Sequence, residues 1–202
     1  LSYLFLKGRC KSCAAPISVQ YPLVELIAGL LAAYFIYQYG LSSQSFYGLV
    51  FSYALLVLTG IDLHEKLLPD QITLPLIWLG LFANLNGNFV SLNDAVIGAI
   101  AGYLSLWSVF WAFKLITGKE GMGYGDFKLL AALGAWMGWQ MLPMIILLST
   151  AAGALVGIAG ILLAGRDREM PIAFGPFLAS AGWIAFVWGD AILSGYLRLF
   201  NF

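Results

Sequence analysis

From Phe127 to Gly165 the chain runs for 39 residues with Lys128 as its only charge. A single helix of that length would reach about 58 Å, roughly twice the hydrocarbon thickness of a bilayer. The segment must therefore turn back. Gly138-Trp139-Gln140, followed by Pro143, offers a turn with an interfacial aromatic and a helix-starting proline. Further apolar runs give seven candidate helices, at residues 21–39, 46–61, 71–85, 95–116, 127–139, 141–165 and 176–197. Their continuous hydrophobicity lacks the period-two alternation of a barrel strand, and only helices or closed barrels satisfy backbone groups in lipid. The expected fold is all-α, a polytopic membrane protein with about seven transmembrane helices, the fifth of them short.

Composition agrees with that expectation. Of 202 residues 61% are hydrophobic and 10% charged, against roughly a quarter charged in a soluble domain. Net charge is zero, so a nucleic-acid footprint, which requires a basic face, finds no support. Threading seven helices through the membrane gathers Lys7, Arg9, Lys11, Lys66, Lys114, Lys119, Lys128, Arg166 and Arg168 on one side, leaving only Arg198 elsewhere. By the positive-inside rule that side is cytoplasmic. Residues 1–20 then form a cytoplasmic arm containing Cys10 and Cys13, and residues 21–202 the membrane domain. Leu1 is not a start methionine and Leu1 to Leu6 is too short to span or target, so the chain is expected to begin partway into a longer product.

Two carboxylates stand where this threading makes them costly. Asp62 follows the run 46–61 and Asp126 precedes the run from Phe127, both at the cytoplasmic mouth. An ionisable group at or within a membrane helix is a functional-site hypothesis; taken singly, each reads equally well as an interface charge, and Asp126 as a helix cap. Their flanks favour function. Asp126 ends Gly121-Met122-Gly123-Tyr124-Gly125-Asp126, where alternate glycines free the backbone for close approach of an extended peptide. Two carboxylates that face each other tend to share a proton, so that one activates water while the other protonates the leaving group.

Asp62-Leu63-His64-Glu65-Lys66-Leu67-Leu68-Pro69-Asp70 and Gly123-Tyr124-Gly125-Asp126-Phe127-Lys128-Leu129 together resemble the type IV prepilin leader peptidases, intramembrane aspartyl proteases of the Gly-x-Gly-Asp class. Flanking matches are Cys10-Lys11-Ser12-Cys13, Tyr21-Pro22-Leu23-Val24-Glu25 and Pro171-Ile172-Ala173-Phe174-Gly175-Pro176. The resemblance implies that Asp62 and Asp126 are the catalytic pair and that Gly123, Tyr124, Gly125 and Lys128 belong to the active-site loop. It makes residues 21–202 a transmembrane aspartyl peptidase domain of the bacterial inner membrane, with its active site on the cytoplasmic side. Its substrates would be type IV prepilins and type II secretion pseudopilins, cut after a glycine that ends a short basic leader. It also implies N-methylation of the new N-terminus with S-adenosylmethionine; no cofactor is needed for proteolysis. In the family a second Cys-x-x-Cys pair and a helix lie upstream, where this sequence has no residues. Cys10 and Cys13 therefore offer two of the four ligands of a structural zinc. Archaeal preflagellin peptidases are the nearer alternative, and a proton- or ion-coupled transporter the more distant one.

Helix dipoles suggest that Asp62, at a helix C-terminus, holds the shared proton in preference to Asp126, at an N-terminus. His64 is the only histidine and reads as a solvated loop residue. Asp70, after Pro69 and before Gln71, reads as the N-cap of the third helix. On that reading exchange of Asp70 for Asn is expected to spare peptide cleavage in a turnover assay, whereas Asp62→Asn or Asp126→Asn abolishes it.

Overall fold

The structure, a computed structural model, describes residues 3, 6, 8–164 and 173–199. Lys7, the charged stretch with Arg166 and Arg168, and Pro171-Ile172 lie outside the described residues. Seven α-helices are present among those described: α1 (Gln20–Tyr39), α2 (Ser43–Glu65), α3 (Asp70–Ala83), α4 (Leu92–Thr117), α5 (Tyr124–Met137), α6 (Leu142–Ala164) and α7 (Gly175–Leu199). Five helical segments, at α1, α2, α4, α6 and α7, are long and apolar enough to cross a membrane. The expectation of about seven spanning helices is thus met in helix number but not in length. Helices α3 and α5 have 14 residues each, about 21 Å, short of the hydrocarbon core of roughly 30 Å.

The chain divides into two compact units, Leu1–Tyr53 and Ala54–Phe202. In the first, Arg9 and Pro16 form an antiparallel bridge around a turn closed by Cys10 N–H donating to the Ala15 carbonyl at 2.9 Å. Helix α1 ends at Gly40, whose φ of 61° suits glycine, and the chain returns along the first part of α2. Phe35 packs directly over Gly48, where a Cβ would overlap its ring. Glu25 lies beyond the first turn of α1, which carries no acid.

The second unit is organised around α5. From Leu129 to Met137 every residue of this helix is buried, as expected of a helix apolar on all sides. Its backbone touches that of α4: a Cβ on Gly98 would overlap the Gly134 carbonyl, one on Gly134 the Gly98 carbonyl, and one on Gly102 the Leu130 carbonyl. Gly98 and Gly102 are the small residues four apart that permit such close approach in membranes. On the α3 side Trp136 fits over Gly80 and its Nε1–H donates to the Leu76 carbonyl at 2.8 Å. Phe89 and Phe186 complete an aromatic cluster around Trp136.

Asn84 solves the problem of ending a helix at depth, where its last carbonyls have no partner. Its Nδ2 donates to Ala135 and Trp136 carbonyls at 3.0 and 3.2 Å, and its Oδ1 accepts from Phe89 and Val90 N–H, each at 3.1 Å. The chain then turns at Gly138, φ 79°, through Trp139–Met141 into α6, with Pro143 in the first turn as the sequence predicts. Replacing Asn84 by Leu leaves buried backbone groups unpaired, so the detergent-solubilised protein is expected to lose about 2–3 kcal/mol of stability, read as a lower thermal unfolding midpoint.

Candidate active site

The ends of α2, α3, α5 and α7 that carry Asp62, Asp70, Asp126 and Gly175 meet at one end of the second unit, beside Thr150, Gly153 and Ala154 of α6. Between them lies a cavity of about 790 Å³. Its wall includes Asp62, Asp126 and the loop Gly121 to Gly125, with Phe174 and Phe177 of the last-helix region opposite. Both aspartates are largely shielded, at 5% and 6% exposure, and close enough to interact electrostatically. The sequence-predicted pair, 64 positions apart along the chain, is therefore brought to one cavity.

Each carboxylate sits inside a helix. Asp62 lies in the last turn of α2, which extends to Glu65, and Asp126 in the first turn of α5, whose N-cap is Gly123. Asp126 thus does not cap. Each also meets a glycine amide at the start of a helix: Gly175 N–H donates to Asp62 Oδ2 at 3.0 Å, and Gly123 N–H faces the Asp126 carboxylate. Gly175 opens α7, so Asp62 stands at the negative end of one helix dipole and at the positive end of another. The dipole argument for placing the shared proton on Asp62 no longer separates the two residues. Gly175 had no signal in the sequence beyond its place in the late Pro-Ile-Ala-Phe-Gly-Pro match.

The glycines act by their size. None of Gly121, Gly123 and Gly125 has a left-handed φ, contrary to the expectation of a loop needing unusual backbone freedom. A Cβ on Gly125 would stand 2.7 Å from Leu68 Cβ, and one on Gly175 would stand 2.6 Å from Asp62 Oδ2 and 3.1 Å from Leu68 Cδ2. Leu68 is therefore wedged between two glycines, one beside each aspartate. Tyr124 packs tilted against Phe110 and edge-on to Phe127, with ring centroids at 5.1 and 5.6 Å, which holds the start of α5 against α4. Lys114 bonds Glu120 at 2.7 Å and draws the intervening loop back over the end of α4.

Other expectations shift. Asp70 is the first residue of α3, with Pro69 at the N-cap position and no side-chain cap; its carboxylate instead pairs with Lys128 Nζ, at 2.6 and 2.7 Å to its two oxygens. Lys128 lies in the first part of α5, not in the loop. His64 is in the last turn of α2 rather than in a loop, and exposed. Cys10 and Cys13 belong to the other unit. The backbone amides of Cys13 and Ser12 and the Cys13 thiol hold the Cys10 thiol below its usual range, which suits a metal-binding thiolate. Among the described residues no three His, Cys, Asp or Glu side chains gather to hold a metal, and the two thiols are two of the four ligands that a structural zinc needs.

A helical bundle in the membrane whose cavity holds two shielded aspartates defines a polytopic protein of the two-aspartate type. Residues 49–158 match the type IV leader peptidase family and residues 1–39 the bacterial peptidase A24 N-terminal domain. The chain is 59% identical over 99% of its length to a prepilin leader peptidase/N-methyltransferase of Aeromonas hydrophila, covering 69% of that protein. A protein of the same description from Pseudomonas aeruginosa is 55% identical over 100% of the chain and 70% of its own length, and one from Xanthomonas campestris pv. campestris 50% identical over 98% and 69%. No solved structure matches. The chain belongs to the type IV leader peptidase family.

The Leu68 wedge gives a steric test. Gly125→Ala and Gly175→Ala are expected to reduce prepilin cleavage at least about tenfold by displacing an aspartate. Gly60→Ala, in α2 with open space around it, should leave the rate unchanged.

Proposed function

We propose that this chain is a membrane-embedded aspartic endopeptidase that removes the leader from type IV prepilins and type II secretion pseudopilins, with Asp62 and Asp126 as its catalytic carboxylates. The observation that carries the reading is their convergence, at 5% and 6% exposure, on one cavity. In the proposed reaction one carboxylate takes a proton from water as it attacks the scissile carbonyl, and the protonated partner delivers its proton toward the leaving amine. Gly123, Tyr124, Gly125 and Lys128 support the cavity wall; the glycine amides at 123 and 175 orient the carboxylates.

Lys66, Glu120 and the Asp70–Lys128 pair also line the cavity. Such polar walls admit the water that hydrolysis needs. Within the second unit Lys66, Lys114, Lys119 and Lys128 all belong to that end, whereas Asp94, bonded to Trp139 and Gln140, marks the other. The positive-inside rule then supports an active site at the cytoplasmic face of a bacterial inner membrane, where cleavage follows a glycine at the end of a basic leader. Residues 1–20 are the arm of this proposal, and residues 21–202 its peptidase domain.

The names carried by the relatives support a second activity, N-methylation of the newly exposed N-terminus with S-adenosylmethionine as donor. The substrate for that step is the product of the first. Purified protein in detergent or liposomes is expected to shorten a prepilin by its leader, and Asp62→Asn and Asp126→Asn should each abolish this while leaving the thermal unfolding midpoint near that of the parent. Retention of cleavage by either variant, with the protein folded, would reject the dyad.

A further inference from the structure

Lys128 stands in an unfavourable place. It lies in the first part of α5, near the positive end of the helix dipole, where a cation is destabilising. It is only two residues from the buried Asp126. Its ammonium goes instead to both oxygens of Asp70, at 2.6 and 2.7 Å, 58 positions away on the first residue of α3. Asp70 is an anion at a helix N-terminus, so the partner is well placed where the lysine is not.

The pair joins the two parts of the chain that bear the dyad. Asp62 lies in the last turn of α2, and only residues 66–69 separate that helix from α3. Across this short connection two contacts reach the start of α5: Leu68 against Gly125 and Asp70 with Lys128. Helices α3 and α5 therefore begin side by side, latched once by packing and once by charge. The side chains are 53% and 23% exposed, and a pair so open to solvent adds little to folding. Its consequence lies in geometry rather than stability.

We infer that Asp70 and Lys128 are positioning residues for the proteolysis proposed above: their ion pair holds the Asp62-bearing segment in register with the Asp126-bearing helix. This rests on the peptidase reading and revises the expectation that Asp70 is a dispensable cap. Neither residue donates or accepts a proton in the reaction. Loosening the latch lowers the fraction of time for which the two carboxylates face the same water.

The test combines kinetics with a distance that does not depend on catalysis. Asp70→Asn and Lys128→Met are each expected to lower kcat about five- to tenfold with KM within about twofold. Asp70→Glu and the charge reversal D70K/K128D should recover much of the lost kcat. In a Cys10→Ser, Cys13→Ser background, spin labels at positions 67 and 122 should give one narrow distance distribution in the parent, a broad one in each single variant and a narrow one again in the reversal. A rise in KM with kcat unchanged would overturn the inference by making Lys128 a substrate contact. So would equal distance distributions in all variants, or complete loss in Asp70→Asn without recovery in D70K/K128D. If the parent cleaves nothing, the peptidase reading fails, while the distance distributions still decide whether the pair sets the register.

Discussion

Helix α5 can lie against α4 only because Gly98 and Gly134 present bare backbone to each other, with Gly102 doing the same for Leu130. Much of the second unit depends on that contact. A helix of 14 residues cannot span a bilayer, and its last carbonyls would be orphaned in lipid at a cost of several kcal/mol each. Burial among α3, α4 and α7 removes it from lipid, and Asn84 takes up two of those carbonyls. The shortness of α5 then becomes useful. Its first turn, with Asp126, stops where the neighbouring helices also end, so the carboxylate opens into a polar cavity rather than into hydrocarbon.

The same economy of space recurs at the cavity. Leu68 is held between Gly125 and Gly175, and each of those glycines adjoins an aspartate. An added methyl group at either one would be transmitted to a carboxylate directly. The glycines of the Gly-x-Gly-Asp segment are thus explained by what packs against them; their backbone angles are ones any residue adopts. Amides at Gly123 and Gly175 face the two carboxylates, so both aspartates are oriented by groups that no side-chain substitution removes.

Much of this was legible in the sequence. Long apolar runs identify helices because lipid offers the backbone no partner, and the turn at Gly138 follows from a run too long to be one helix. Asp62 and Asp126 stand out because a carboxylate at a membrane helix is costly enough to require a reason. Helix ends were less legible: Asp62 lies inside α2 and Asp126 inside α5, since charged residues at the end of an apolar run continue a helix as readily as they stop it. Contacts made at long range were not legible at all. Asp70 reads locally as a cap, and only the neighbouring start of α5 makes it the partner of Lys128; Gly175 reads as punctuation, and only the fold brings its amide to Asp62. The two 14-residue helices read as spans in the sequence because hydropathy reports burial without distinguishing protein from lipid.

The claim at the centre of this account is that Asp62 and Asp126 address one reacting atom. The most direct measurement is the binding of a prepilin peptide whose scissile amide is replaced by a hydroxyl-bearing isostere, titrated against the parent protein and against Asp62→Asn and Asp126→Asn. A hydroxyl placed between both carboxylates loses affinity by a similar factor when either is neutralised, on the order of tenfold or more for a charge-assisted hydrogen bond. Weakening by one substitution alone, with the other binding as tightly as the parent, would contradict the shared site.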